Sequence, residues 1–294
     1  MKKSIILLAL PALALTGCAK TITAAEAKEE AKKIAEHKMT QEELDAIDAI
    51  TVSFEMSNEE SGKVDGAAFS DKSEMEVKYE VSADKKFVHT KWAQKSESKE
   101  GDKDAEVYEN FAENWTYVKD GALYVVTHSR SQYEGKESES KTYYVVENDT
   151  VTSLFEKSLK SGVEEAANAA AGTDYLNIVE QSSSETAAEA GIKYEVKYAS
   201  SGEGNLSVKG KAEYTDYAYP VGAGKVVKTS GSATLKYAWD KYLMSEIAAT
   251  MDVHGEEGEN SADVKTEAKG TVKYKAKVSY PSLDGFEKAA SLSF

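Results

Sequence analysis

One cysteine stands in the whole chain, and it is Cys18. A single thiol rules out an internal disulfide, and with no Cys/His pair at ligand spacing a structural zinc site is not expected. Arginine is equally scarce. Arg130 is the only one among lysines, so no guanidinium cluster for bidentate phosphate or carboxylate recognition can be assembled. The four histidines, His37, His89, His128 and His254, lie in unrelated segments, and none belongs to a His-Glu-x-x-His helix. A Gly-x-Ser-x-Gly elbow, a Ser-x-x-Lys nucleophile with its partner motifs, a phosphate loop and a dinucleotide glycine pattern are all missing. These gaps argue for a non-enzyme that uses no cofactor. Proline is rare, with three in all, and no long linker follows residue 50. One domain is the natural reading of what lies beyond that point.

What is abundant is negative charge: 51 acidic against 36 basic residues, a formal net charge of −15. So acidic a chain is repelled by nucleic acid and by anionic headgroups, which excludes nucleic acid as a partner. Any membrane attachment has to come from another source.

The N-terminus offers one. Met1-Lys2-Lys3 is positive, and Ile5 to Leu15 is an apolar run too short to span a bilayer as a stable helix. Leu15-Thr16-Gly17-Cys18 then resembles the lipobox of bacterial lipoproteins. The resemblance implies cleavage of a signal peptide over 1–17 and diacylglyceryl modification of Cys18, with a lipid anchor on the extracytoplasmic face of the cell membrane, or in an outer membrane. Two or more acyl chains hold a protein on a bilayer durably, where one chain does so only marginally.

Beyond the anchor, Thr23-Ala-Ala-Glu26 opens a stretch rich in Ala, Glu and Lys, read as a solvated helical spacer over 18–39. A second capping box, Thr40-Gln-Glu-Glu43, starts a helix with Leu44, Ile47 and Ile50 at helical spacing. From Ile50 the period changes to two. Alternating segments follow at Ile50–Met56 and Met75–Val81, and softer ones continue to 147, with Lys119-Asp120-Gly121 as a hairpin turn. The spacing predicts a covering helix over 151–171, capped near Ser153 and stopped at Gly172. Alternation then returns from Ile192 and runs longest from Val264 to Tyr280. The pattern predicts an α+β fold over 40–294: a large curved antiparallel sheet of ten or eleven strands, with helices covering one face. The acidic stretches 100–106 and 254–263 lack the alternating ladder of an EF-hand and read as solvated hairpin loops rather than Ca²⁺ sites.

An N-terminal helix, hairpins, a mid-chain helix and long C-terminal hairpins behind a lipobox together resemble the half-barrel lipoproteins, typified by the periplasmic lipoprotein carrier and the mycobacterial acyl-lipid-binding lipoproteins. That resemblance implies a non-catalytic envelope protein holding a lipid or acyl chain between sheet and helices. It carries no diagnostic site motif, and the single arginine departs from the periplasmic carrier. The expected cavity wall is Leu235, Tyr237, Trp239, Val272, Tyr274 and Tyr280. The other reading is a structural or protein-binding surface lipoprotein without a cavity, its protein partner open.

Overall fold

The computed structural model describes residues 19–133, 135–171, 192–222, 225–274 and 277–289. The leader over 1–17, Cys18, Gly172 and the 182–191 stretch lie outside them.

A short strand, β1 (Lys20–Ile22), precedes helices α1 (Ala24–Glu36) and α2 (Gln41–Asp45). Six strands follow: β2 (Ala49–Val64), β3 (Ala67–Ser82), β4 (Phe87–Glu100), β5 (Glu106–Lys119), β6 (Ala122–Tyr133) and β7 (Lys136–Val146). Helix α3 (Asp149–Ala171) leads to β8 (Ile192–Gly202), β9 (Asn205–Gly222), β10 (Lys225–Asp240), β11 (Leu243–Glu257), β12 (Asn260–Lys273) and β13 (Glu287–Lys288). All thirteen strands form one sheet, ordered β1-β8-β9-β10-β11-β12-β2-β3-β4-β5-β6-β7-β13. Neighbours are antiparallel except β13, which lies parallel to β7.

Local chemistry sets this meander. Asp65-Gly66 and Asp120-Gly121 take positive φ at both positions, the geometry of a tight two-residue hairpin turn. Lys241 and Tyr242 do the same without glycine. There the strain is offset by a Tyr242 amide donating to the Gly204 carbonyl at 2.8 Å and by its ring stacking on His37 at 3.8 Å. The seam of the sheet joins distant parts of the chain, since β12 pairs along β2 from Lys63↔Ser261 to Thr51↔Lys273. The edges carry strands of only three and two residues, which cover Tyr198, Ala199 and Ser200 of β8 and Thr142 and Tyr143 of β7 and leave the rest of those two borders without a strand partner among the described residues.

The α+β expectation, with helices covering a face, does not hold. The fold is β-dominated, and its helices shield only one end of the sheet. Strands of 11–18 residues are about 35–60 Å long at 3.3 Å per residue, while a helix laid across them is about 10 Å wide. α3 touches β2, β3, β6 and β11 in turn, burying Leu159, Val163 and Ala167 against Ile50, Val81 and Leu243. Its position follows from topology: β7 and β8 lie near opposite edges, so the chain has to cross the sheet between them. Its cap is Asn148, whose Oδ1 accepts from the amides of Thr150 and Val151 at 3.0 and 3.2 Å, rather than Ser153.

α1 is not a solvated spacer. Ala27, Glu30, Ala31 and Ile34 are buried, packed on Tyr198, Leu206, Val208 and Trp239. Alanines at i and i+4 let the helix approach closely, and the Gly204 amide donates to Glu30 Oε1 at 2.5 Å. α2 is a single turn, because Ile50 and Val52 are taken into register with Val81 and Tyr79. The long strand expected to reach Tyr280 ends at Lys273. Past it, the Tyr274 hydroxyl donates to the Met244 carbonyl at 2.9 Å. Val278, Leu283 and Phe286 then pack against Phe87, Tyr117 and Val126.

At the far end the β9–β10 hairpin tip bends over its neighbours, where Val221 and Val227 meet Ala262 and Val64. The bend requires bare backbone. A Cβ on Gly255 would lie 2.2 Å from the Lys228 carbonyl oxygen, and one on Gly231 2.1 Å from that of Asp252.

Candidate functional site

Between the covered end and the bent tip, one concavity stands out: an open trough of about 640 Å³ that crosses β11, β12, β2, β3, β4, β5 and β6 at one level. Six of these strands contribute three consecutive residues, such as Glu55-Met56-Ser57 and Glu74-Met75-Glu76, and β6 contributes Arg130 alone. Alternate residues share a face, so the outer members of these triplets stand on one side of the sheet and the middle members, Met56, Met75, Gln94, Asn110, Ala249 and Ala268, on the other. The side that carries the outer members is charged. Lys95 Nζ lies 3.0 Å from Glu109 Oε1 and Arg130 Nη2 3.3 Å from Glu109 Oε2, and the Glu109 carboxyl is held below its ordinary range first by the Lys95 hydrogen bond, against the opposing effect of burial, with the charges of Lys95 and Arg130 adding to the lowering. Lys91 Nζ meets Glu76 Oε2 at 2.6 Å. Open, charged and internally paired, this surface is suited to a polar macromolecular face more than to a hydrocarbon tail.

The six residues expected to wall a cavity are spread over separate clusters. Tyr237 and Trp239 stack, with ring centroids 6.2 Å apart, under α1. Val272 and Tyr274 join the cluster under α3. Tyr280 lies with Phe87 and Tyr117, its hydroxyl donating to the Lys85 carbonyl at 2.9 Å. Leu235 is half-buried in mid-β10, between Gly210 and Ala249. Near it, Phe54, Met56, Met75, Val77, Trp92 and Ile247 are half-buried on the sheet face that α3 crosses. Cys18 lies outside the described residues.

A buried polar centre escaped the sequence reading. His89, 5 % exposed, has Nδ1 2.6 Å from Glu80 Oε2 and Nε2 2.8 Å from Glu113 Oε1. Its ring stacks on Trp115 at 5.1 Å. Burial pushes the Glu80 carboxyl up, but hydrogen bonds from His89 and Lys78, with their charges, more than offset this and leave it below its ordinary value. Pairing the β3–β4 hairpin outward from the turn at 83–86 sets residue 80 opposite residue 89, which was the available signal. The 254–263 loop is a hairpin in which exposed His254 pairs with Asp263 across the strands. Among the described residues no group of three His, Cys, Asp or Glu is placed to hold a metal, and no helix is long and apolar enough to cross a membrane.

No protein-family model matches the sequence, and no curated protein does. Among solved structures, the translocator domain of autotransporter NalP from Neisseria meningitidis is similar at 7 % identity over 84 % of this chain and 94 % of that one, with a TM-score of 0.18. Superposition that poor carries no conclusion about fold or function.

Proposed function

We propose that the chain is a non-catalytic lipoprotein of the bacterial cell envelope, held on a membrane by acyl chains at Cys18, whose open sheet serves as a binding surface for a polar macromolecular partner. The anchor rests on the order of positive segment, apolar run and Leu15-Thr16-Gly17-Cys18. The binding role rests on the charged, ion-paired side of the sheet that carries Glu76, Lys95, Glu109 and Arg130 at the level of the trough. Only Ala19 separates Cys18 from β1, and α1 is docked rather than extended, so the domain sits directly at the bilayer surface. In detergent phase separation the wild-type protein partitions into detergent with an acylated N-terminal peptide. Cys18→Ala partitions into water and loses the acyl mass. Equal partition of the two proteins overturns the anchor. For the trough, affinity capture with wild type and with Glu74→Lys/Glu109→Lys from envelope extracts recovers a partner with the first only.

A second reading is favoured by the half-buried apolar band of Phe54, Met75, Val77 and Trp92, on which an acyl chain could lie against the open sheet. Quenching of tryptophan fluorescence by a fatty acid labelled with a quencher, lost in Trp92→Phe, supports that reading, and no uptake refutes it.

A further inference from the structure

We infer that a ladder of lysines on the sheet near its anchored edge, Lys197–Lys209–Lys236, seats the domain on the anionic headgroups of the bilayer that holds Cys18. The inference rests on the acyl anchor proposed above. In the registers of β8, β9 and β10, Lys197 lies directly opposite Lys209, and Lys209 directly opposite Lys236. Like charges directly opposite across strands destabilise a sheet, and no other lateral row among the described residues sets three like charges on consecutive strands. Lys197 has Glu195 at 3.2 Å and Lys236 has Glu246 at 2.6 Å, while exposed Lys209 has no carboxylate at ion-pair distance among the described residues. Edge protection by lysine does not account for the row, because β9 and β10 are interior strands.

Position and charge point to the same occupant. Thr21 pairs with Ala199, so no more than about 10 Å of chain at 3.3 Å per residue separates Cys18 from that pair, and Lys197 is two residues beyond it on β8. The opposite face of these strands is taken by α1, through Tyr198, Leu206 and Val208, which leaves the lysine side open. On that side β8–β10 carry Lys193, Lys197, Lys209, Lys211, Lys228 and Lys236 against Glu195, Glu213 and Asp240, a local positive excess in a chain of net charge −15. Each lysine brought to an anionic membrane surface raises partition roughly fivefold, an effect that falls off within a Debye length.

The test uses acylated protein in vesicles of phosphatidylcholine alone or with about one-third phosphatidylglycerol. Acylation occupies the only cysteine, so Ser207→Cys, beside Lys209 on the same face, takes a single polarity-sensitive fluorophore. The expected result is flotation with both vesicle types, with emission at residue 207 at least doubled on the anionic ones, the contrast removed by high salt and by K197Q/K209Q/K236Q, and kept in Lys72→Gln. Flotation with both vesicle types and equal emission overturns the ladder's role alone. Absence of flotation with neutral vesicles overturns the anchor, and this inference with it.

Discussion

Replacing His89 by alanine strips the shared partner from two carboxylates, Glu80 and Glu113, whose side chains are 11 % and 19 % exposed. Losing one member of a fully buried charge cluster costs about 3–5 kcal/mol. Here Lys78 Nζ remains 3.0 Å from Glu80 and both carboxylates keep some water, which lowers the cost, while the lost stacking on Trp115 raises it by about 0.5–1.5 kcal/mol. The expected destabilisation is roughly 2–4 kcal/mol, or a fall in Tm of roughly 5–15 °C in a chain of this size. Thermal unfolding followed by far-UV circular dichroism measures it. A double-mutant cycle sharpens the reasoning: Glu113→Gln added to His89→Ala relieves the repulsion with Glu80 and recovers about 1 kcal/mol or more. The pH dependence gives an independent check. Because the native Glu80 carboxyl titrates below its unfolded value, its contribution is complete above about pH 4.3 and is lost as pH falls through the lower native value. His89→Ala weakens that lowering, so the variant loses less stability than wild type between about pH 5 and pH 3. A Tm within a degree of wild type, together with an unchanged acid profile, would refute the account of this centre.

Gly255→Ala places a methyl against the Lys228 carbonyl oxygen, a backbone atom that cannot swing aside, and is expected to cost more than about 2 kcal/mol. Hydrogen exchange at Val227 and Thr229, both fully buried, speeds up as the hairpin tip lifts, and unchanged exchange there counts against the bend. The Tyr117 phenol is pushed up to about 12, first by burial and then by the neighbouring phenols of Tyr124, Tyr280 and Tyr143. Its contribution is therefore intact below about pH 10 and lost as pH rises towards 12. Urea unfolding of Tyr117→Phe across that range shows a shallower alkaline decline than wild type, and parallel declines would refute it.

Period-two alternation located the strands well, and Asp120-Gly121 marked its turn correctly, because both signals are local. What escaped was set by partners distant in sequence. The alanines of α1 carry too little apolar area to signal burial by themselves, and only the close approach to Val208 and Trp239 makes them a docking face. Alternation past Lys273 reads as strand, yet Tyr274, Val278 and Phe286 find partners elsewhere, so the pattern outlives the pairing. The large apolar residues of β10 and β12 were legible as inward-facing, but alternation does not say whether an inward face meets a ligand, a helix or another strand. Tyr237 and Val272 met helices. The lysine ladder depends on the register of three strands, which two-residue turns alone do not supply.

The pairing of β2 with β12 has a consequence for biogenesis. The middle of the sheet is the meeting line of residues about two hundred positions apart, so neither half can be finished before the C-terminal third has emerged. Contacts of such long range fold slowly, and until they form, two unpaired strand borders face water. Under the anchor proposed at Cys18, a molecule so tethered would wait in that unfinished state at the bilayer, within reach of envelope chaperones and proteases.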